Sequence, residues 1–405
     1  MITDLQDVLS TNVKGMKRSA IRELLKYLGT PGLISFSGGF PSPVTFPTVD
    51  LKEIMIKVMD TEAAQALQYG ATEGDNLLRT QLVERYNSQG IDMKLENLII
   101  TTASQQALDL IAKIFIDRGD SVFVGLPSYL GGLSAFNSYG AKMIGIPMDD
   151  EGEDPEFMEN ELKKLAAIGK KPKFIYLIPD FQNPAGVTMT EKRRKEILAL
   201  AHKYDVLIIE DSPYRELRYE GKTQKTMYEL DGTGHVIMLG TFSKIFCPGF
   251  RIGWVAAHPD VLDKIVVAKQ ATDLCTPPFT QRIAARYLEK GLLDPKIEDI
   301  RKLYSTKQKG FLKALDKYMP EEITWTKPEG GLFMMANAPE YMDTGALLMD
   351  CIKEQKVAYV AGTSFFCDGG GKNTMRLNFS YETLEKNDEG VKRLGDFFKS
   401  HLTKK

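Results

Sequence analysis

Residues 190–214, TEKRRKEILALAHKYDVLIIEDSPY, combine the two patterns that decide the fold. Apolar residues recur at helical spacing from Thr190, a possible cap, to Tyr204. The continuous apolar run from Val206 to Glu210 then predicts a strand that is covered on both faces. A helix that leads directly into a buried strand is typical of a parallel sheet flanked by helices. Ligands bind such sheets just beyond the carboxyl ends of the strands, where Asp211 follows here.

Similar apolar runs lie on both sides of this unit and alternate with helical patterns between about residues 95 and 260. They predict an α/β fold with a mainly parallel seven-stranded sheet. Besides Val206–Glu210, the predicted strands are Asn97–Thr102, Ser121–Gly125, Lys142–Met148, Phe174–Ile178, Val236–Gly240 and Gly253–Ala257.

The two ends of the chain have a different pattern. Residues 16–28 predict a helix, and the Gly- and Pro-rich stretch SFSGGFPSPVTFP (residues 35–47) predicts a loop. After about residue 285 a long charged helical pattern runs to Tyr318, and short strands and helices follow. We therefore predict a large domain of residues 46–285, and a small α+β domain assembled from residues 1–45 and 286–405.

Composition narrows the classes of partner. The 405 residues include 52 Lys and Arg against 54 Asp and Glu, for a net charge of −2, so we expect neither nucleic acid nor an anionic membrane as a partner. No apolar stretch is long enough to span a membrane, and the acidic N-terminus does not resemble a signal peptide. The four cysteines lack metal or disulfide spacing, which favours a reduced cytoplasm. The four histidines are far apart in sequence, and we predict no metal site.

Four strand ends carry residues suited to chemistry. Ser104 begins a helix, where free N–H groups can bind phosphate, and Asn183 lies in a turn after a strand. Asp211 follows an apolar strand, while Lys244 and Arg251 follow another. Taken singly, each has an ordinary structural explanation, such as a helix cap, a turn or a solvated lysine. Together they supply an amine, an acid, an amide and an anion site, which is the set that pyridoxal 5′-phosphate uses.

Several segments resemble, in the same order, the class I and II (fold type I) pyridoxal-phosphate-dependent aminotransferases, and most closely the 2-aminoadipate and kynurenine aminotransferase group. The resemblance implies the fold type I of these transferases, a homodimer with shared active sites, and a small domain that closes over the substrate. The matching segments are SFSGGFPSP (35–43), LQYGATEG (67–74), PDFQNPAG (179–186), EDSPY (210–214), GTFSK and PGFRIGW (240–254), PEGGLF (328–333) and MRLNFS (375–380).

This resemblance implies roles around the cofactor. Lys244 would form a Schiff base with it and, when released, would move the proton of the substrate Cα. Asp211 would pair with the protonated pyridine nitrogen. The other implied contacts are Asn183 and Tyr214 at the phenolic oxygen, Tyr129 at the ring face, Ser104, Gln105, Thr241, Ser243 and Arg251 at or near the phosphate, and Tyr69 at the phosphate of the neighbouring subunit.

The same resemblance implies substrate contacts at Arg376, Gly39, Asn183 and Arg22. Arg376 would bind the α-carboxylate through a two-pronged ion pair, which suits a planar guanidinium. Arg22 would meet a distal carboxylate of the substrate, although an arginine on an amphipathic helix is also commonly a solvated residue. The sequence VAG at residues 360–362 departs from the family's usual Val-x-Pro-Gly, so substrate preference does not transfer directly.

We therefore predict an aminotransferase that moves an amino group from an amino acid to a 2-oxo acid by a ping-pong mechanism, with 2-oxoglutarate as the expected acceptor. A lyase or a decarboxylase on the same scaffold is an alternative, because these reactions differ in which Cα bond lies perpendicular to the cofactor ring. A regulatory protein that binds the cofactor would be expected to carry a DNA-binding domain ahead of the matching region. Only about twenty residues precede Arg22, which is too short for a winged helix. A catalytically inactive relative would be expected to lack Lys244.

Overall fold

The computed structural model describes residues 4–16, 18, 20–27 and 29–402. The α-helices of these residues are α1 (Thr11–Lys14), α2 (Ala20–Leu25), α3 (Thr48–Leu67), α4 (Asn76–Ser88), α5 (Ala103–Phe115), α6 (Leu130–Ser138), α7 (Pro155–Ala166), α8 (Glu191–Tyr204), α9 (Met227–Asp231), α10 (Pro259–Gln270), α11 (Pro278–Glu289), α12 (Leu293–Tyr318), α13 (Thr344–Gln355) and α14 (Leu384–His401). The strands are β1 (Ile34–Ser35), β2 (Leu98–Thr101), β3 (Ser121–Leu126), β4 (Lys142–Asp149), β5 (Gly152–Glu153), β6 (Phe174–Leu177), β7 (Leu207–Asp211), β8 (Val236–Thr241), β9 (Gly253–Ala256), β10 (Thr324–Trp325), β11 (Phe333–Asn337), β12 (Val357–Ala358), β13 (Val360–Ala361) and β14 (Thr374–Asn378).

The largest sheet has its strands in the order β2-β9-β8-β7-β6-β3-β4-β5. The run from β8 to β4 is parallel, whereas β9 is antiparallel to both of its neighbours and β5 is antiparallel to β4. The predicted α/β fold and its seven strands are confirmed. The prediction misses the eighth strand, β5, because Gly152 and Glu153 carry no apolar pattern.

Strand β7 shows why the apolar runs become the centre of the sheet. Its side chains alternate between the two faces, so that buried Ile208 packs in one apolar cluster with Ile197 of α8. Its neighbour Ile209 packs in another cluster with Leu108 of α5. Each fully buried side chain of this kind stabilises the fold by about 1.5–3 kcal/mol. The predicted cap of α8 is confirmed, since the Thr190 hydroxyl accepts a hydrogen bond from a first-turn N–H at 3.2 Å.

A second, antiparallel sheet has the order β10-β11-β14-β13. Its apolar core includes Phe36 from the start of the chain and Phe311 from α12. Strand β1 pairs in parallel with β12, which joins the N-terminal segment to the C-terminal part of the chain. Helix α12 packs Ile297 into the core of the large sheet and Phe311 into the smaller core. The division into 46–285 and 1–45 plus 286–405 remains a proposal, and α12, which lies within 286–405, contributes to both cores.

Two helix predictions can be compared with the structure. Helix α2 covers residues 20–25 of the segment predicted as residues 16–28, of which residues 17, 19 and 28 lie outside the described residues. The long charged helix ends at Tyr318, as predicted. In the part of the chain that the structure describes, no helix is both long and apolar enough to cross a membrane.

Candidate active site

A cavity of about 450 Å³ lies at the carboxyl edge of the central sheet, where β6, β7 and β8 end and α5 begins. The structure brings the predicted site residues to this cavity, with the exception of Tyr69. Those that line it are Arg22, Gly39, Ser104, Gln105, Tyr129, Asn183, Asp211, Tyr214, Thr241, Ser243, Lys244, Arg251 and Arg376.

Lys244 places an amine in the cavity three residues after β8. Its Nζ donates a hydrogen bond of 2.8 Å to the carbonyl oxygen of Gly39. Burial lowers the pKa of Lys244 to about 8, together with the nearby charges of Arg376 and Arg251 and against the opposing charge of Asp211. About a tenth of this lysine is therefore uncharged at pH 7, which is far more than for an exposed lysine. An uncharged amine can act as a nucleophile or as a base.

Asp211 ends β7 as a buried carboxylate with one unpartnered oxygen. Its Oδ2 accepts a hydrogen bond of 2.8 Å from the Tyr176 hydroxyl, whereas its Oδ1 has no partner among the described residues. Burial raises the pKa of Asp211 to about 6, although the Tyr176 hydrogen bond and the charge of Lys244 limit the rise. Asp211 is therefore mostly ionised at neutral pH, and its Oδ1 can accept a hydrogen bond from a cationic group in the cavity.

Arg376 of β14 reaches the same cavity from the second sheet. Its Nη1 donates to Oδ1 of Asn183 at 2.9 Å, and its Nη2 donates to the carbonyl oxygen of Ser37 at 2.8 Å. The guanidinium lies 4.0 Å from the ring centre of Phe333, and its buried Nε has no partner in the part of the chain that the structure describes. Burial lowers the pKa of Arg376 to about 10, so the side chain stays charged at neutral pH. Asn183 also donates to the Tyr214 hydroxyl at 3.3 Å.

The first turn of α5 forms an anion site in this cavity. The N-cap residue Thr102 makes no side-chain hydrogen bond to the first turn of α5, where Ser104 and Gln105 lie. The Ser104 hydroxyl donates to the carbonyl oxygen of Gly240 at 3.3 Å and does not cap its own helix. Gly253 of β9 lets the helix approach closely, because a Cβ there would lie 2.7 Å from the backbone nitrogen of Ser104. Free N–H groups at a helix N-terminus favour phosphate binding.

Further polar side chains line the cavity beside this turn. The backbone N–H of Ser243 donates to the Thr241 hydroxyl at 3.1 Å. Arg251 has a left-handed backbone (φ 54°) and remains exposed at the cavity. The Tyr129 hydroxyl donates to Oε1 of Gln105 at 3.3 Å, which links the start of α6 to the first turn of α5.

Known proteins resemble this chain in sequence and in fold. Residues 43–394 match the family described as aminotransferase class I and II. The chain belongs to this aminotransferase family. It is 48% identical to aromatic-amino-acid aminotransferase 1 of Thermococcus litoralis, with 99% of this chain and 96% of the relative covered. It is 38% identical to the 2-aminoadipate transaminase of Thermus thermophilus, over 96% and 95% of the two chains. The crystal structure of Pyrococcus horikoshii kynurenine aminotransferase in complex with PMP superposes with a TM-score of 0.95, at 46% identity and full coverage of both chains.

These comparisons confirm the predicted family, fold type and reaction class. The aminotransferase uses pyridoxal 5′-phosphate and moves an amino group from an amino acid to a 2-oxo acid. The described residues fit this cofactor on three independent observations. They are the unpartnered Oδ1 of Asp211, the uncapped first turn of α5 and the amine of Lys244 with its lowered pKa.

Two predicted residues lie away from the centre of the aminotransferase site. Arg22 is exposed on α2 and reaches the cavity from its rim. Tyr69 is 80% exposed and lies in a different depression, beside Pro278 and Gln281. In a single chain, therefore, Tyr69 does not reach the cavity.

Sequence reasoning missed two aromatic residues of the site. Tyr176 lies in the middle of the apolar strand β6, where its pattern is that of a core residue, yet its hydroxyl holds Asp211. Phe333 belongs to the segment PEGGLF, but that motif alone does not show that its ring packs on Arg376. Only the pairing register between β6 and β7 reveals the role of Tyr176. Tyr176 pairs with Ile209, which lies two residues before Asp211 on β7.

Proposed function

We propose that the residues lining the cavity hold pyridoxal phosphate and the substrate in the roles that the family resemblance implies. The observation that carries this proposal is the convergence of Lys244, Asp211 and the first turn of α5 on one cavity. When bound, the cofactor supplies an aldehyde that condenses with amino groups and a ring that accepts negative charge from Cα. Asp211 would accept a hydrogen bond from the pyridine N–H, and Lys244 would hold the aldehyde carbon in the absence of substrate.

The phosphate would be bound at the start of α5. The N–H groups of that turn would donate to it, together with the side chains of Ser104, Gln105, Ser243 and Arg251, and Thr241 would orient Ser243. Three neutral side chains would position the ring of the cofactor. Tyr214 and Asn183 would donate to its phenolic oxygen, and Tyr129 would lie against its face.

Lys244 would carry out the proton transfer. Once the substrate has displaced it, its uncharged Nζ would take the proton from the substrate Cα and deliver it to the cofactor. Arg376 would hold the α-carboxylate of the substrate, with Asn183 and Ser37 keeping the guanidinium in place. Gly39 would allow close approach, since a Cβ there would lie 3.3 Å from the Phe333 ring and 3.9 Å from Nζ of Lys244.

For the substrates, we propose that 2-oxoglutarate is the amino acceptor and that both aromatic and dicarboxylic amino acids are donors. The named relatives act on aromatic amino acids, kynurenine and 2-aminoadipate. Arg22 at the rim supports a contact with a distal carboxylate, and Tyr129 and Phe333 offer apolar surface to an aromatic donor. The two half-reactions would use the same cavity in turn, which is a ping-pong mechanism.

Lys244→Ala tests the assignment of the proton carrier. We expect turnover of amino donors with 2-oxoglutarate to fall by about 10²–10⁴-fold or more, because the base and the covalent anchor are both removed. Lys264→Ala, at an exposed position of α10, is the matched control and should retain full activity. Full activity of Lys244→Ala would refute the assignment. Release of ammonia or carbon dioxide without any 2-oxo acid acceptor would instead favour a lyase or a decarboxylase.

We also propose a homodimer in which Tyr69 donates to the phosphate bound by the neighbouring subunit. Its 80% exposure leaves the hydroxyl available to a second chain. Sedimentation equilibrium should give twice the mass of the chain, and Tyr69→Phe should weaken cofactor binding without dissociating the dimer. A monomer with full cofactor affinity would refute both parts.

We further propose a reducing, cytoplasmic location. The four cysteines are free, which supports this location; they are Cys247, Cys275, Cys351 and Cys367.

A further inference from the structure

A cluster of metal-binding side chains lies at the opposite end of β8 from Lys244. His202 belongs to the last turn of α8, Asp231 ends α9, and His235 immediately precedes β8. One ligand atom from each residue lies within 4.8 Å of the other two. The loop between Asp231 and His235 bends through Gly232 (φ 62°) and Gly234 (φ 85°), which have the left-handed conformation that favours glycine. This turn brings two histidines together although they are far apart in sequence.

The hydroxyl of Thr233 occupies the space between the three ligand atoms. Its oxygen lies 3.1 Å from Nε2 of His202 and 2.8 Å from Nδ1 of His235, and it also donates to Oδ1 of Asp231. A hydroxyl has one hydrogen and can satisfy only one acceptor. Nε2 of His202 also lies 2.7 Å from Oδ1 of Asp231, so the three ligand atoms face one another around the Thr233 hydroxyl. One cation can be bound by the two imidazole nitrogens and the carboxylate oxygen at once.

Neighbouring groups already orient two of the ligands. Nε2 of His235 lies 3.3 Å from Oδ1 of Asp205, so that a hydrogen on Nε2 leaves the lone pair of Nδ1 for a metal. A carboxylate that orients a histidine in this way is the usual outer contact of a protein zinc ligand. Oδ2 of Asp231 accepts the backbone N–H of Val236 at 3.1 Å, which leaves its Oδ1 directed at the cluster.

Asp231 supplies a buried carboxylate to the cluster and is only 8% exposed. It accepts hydrogen bonds from the Thr233 hydroxyl and the backbone N–H of Val236, and its Oδ1 lies 2.7 Å from Nε2 of His202. Thr233 and His235 also line an open cavity of about 530 Å³, through which an ion can enter. The same cavity is lined by Asp205 and by Lys170, Lys171 and Lys173, and Lys171 pairs with Oδ2 of Asp205 at 2.5 Å.

We propose that His202, Asp231 and His235 bind one divalent transition-metal ion of the zinc type, with Asp205 as the residue that orients His235. Two histidines and a carboxylate form a known zinc ligand set, and water would complete the tetrahedron. Metal–ligand distances of about 2.0–2.2 Å require ligand atoms about 3.3 Å apart. Rotation of the exposed Thr233 hydroxyl and a small movement of His202, which is also exposed, bring the ligand atoms together. The ion would tie the end of α8 to the start of β8.

Calorimetric titration of the chelator-treated holoenzyme with ZnCl₂ at pH 7.5, in the presence of a thiol-free reductant, tests the proposal. We expect one Zn²⁺ per chain with micromolar or tighter affinity, and an unfolding midpoint that rises by about 2 °C or more at saturation. His202→Gln and His235→Gln should each abolish this binding while keeping cofactor absorbance and activity. Asp205→Asn should weaken it by about 10–100-fold, as expected for a positioning residue.

His401→Gln is the matched control, because His401 ends α14, outside the cluster, and should leave zinc binding unchanged. Anomalous scattering from zinc-soaked crystals should place the ion between His202 and His235. The proposal is overturned if no zinc binds at micromolar concentration. It is equally overturned if the two glutamine variants, shown to be folded by their cofactor absorbance, bind zinc as the unmodified enzyme does, since the ion would then lie elsewhere.

Discussion

Replacing Tyr176 with Phe removes one oxygen atom, the donor of the 2.8 Å hydrogen bond to Oδ2 of Asp211. In the unmodified protein that carboxyl has a pKa of about 6, raised by burial. A hydrogen bond to a charged group is worth about 1.5–3 kcal/mol, and a tenfold change in ionisation corresponds to about 1.4 kcal/mol. We therefore expect the pKa of Asp211 to rise to about 7–8 in Tyr176→Phe.

This change should affect cofactor binding in a pH-dependent way. At pH 7 about nine tenths of Asp211 is ionised in the unmodified protein, but only about a tenth to a half would be ionised in the variant. Because the ionised carboxylate pairs with the protonated pyridine nitrogen, the affinity of the apoenzyme for pyridoxal phosphate should fall by about 2–10-fold at pH 7. At pH 9 Asp211 is ionised in both proteins, and the two affinities should agree.

The assay is an equilibrium titration of apoenzyme with pyridoxal phosphate, followed by absorbance from pH 6 to pH 9. The ratio of the two dissociation constants cancels the titration of the cofactor and of Lys244, which both proteins share. Tyr359→Phe is the matched control, since it also loses a buried phenol hydrogen bond (2.7 Å, to the carbonyl oxygen of Thr344) but lies in the smaller core. A ratio that stays constant across this pH range would refute the coupling between Tyr176 and Asp211.

Other changes test the remaining contacts. Arg22→Ala should lower kcat/KM for aminoadipate by at least about tenfold more than for phenylalanine, because only the former offers a distal carboxylate; equal losses would rule out this contact. Gly253→Ala should weaken phosphate binding by displacing the first turn of α5, whereas Gly249→Ala, where a Cβ meets nothing within 4 Å, should not; phosphate titrations of the two apoenzymes compare them. Thr190→Ala should lower the free energy of unfolding by about 1 kcal/mol through loss of the α8 cap, as measured by urea denaturation.

The functional residues at the strand ends could be predicted from the sequence, because reactive side chains directly follow the apolar runs that predict strands. Asp211 and Lys244 each follow a continuous apolar run, and parallel strands necessarily bring such ends to one edge. Ser104 was predictable for the same reason, since a strand passes directly into a helix at that point. The family motifs then supplied Arg376, which lies in another sheet and follows no parallel strand.

Contacts that depend on the third dimension were not predictable in this way. Tyr176 has the pattern of a core residue, and only the register between β6 and β7 places its hydroxyl on a carboxylate. His202 and His235 come together because α8 ends next to the start of β8, which no local pattern shows. The short strand β5 was missed because pairing with β4, and not its own side chains, gives it an extended conformation.

The pairing of β1 with β12 limits the order in which parts of the chain can fold during synthesis. The first strand is synthesised early, whereas its partner, which includes Val357, follows only after the strands of the central sheet have been made. Ser37 and Gly39, whose carbonyl oxygens accept hydrogen bonds from Arg376 and Lys244, come shortly after β1. The central sheet can therefore collapse before β1 has its partner, whereas the catalytic cavity needs β12 and β14 as well. A chain cut before β12 would be expected to keep the strands of the central sheet and still lack a formed active site.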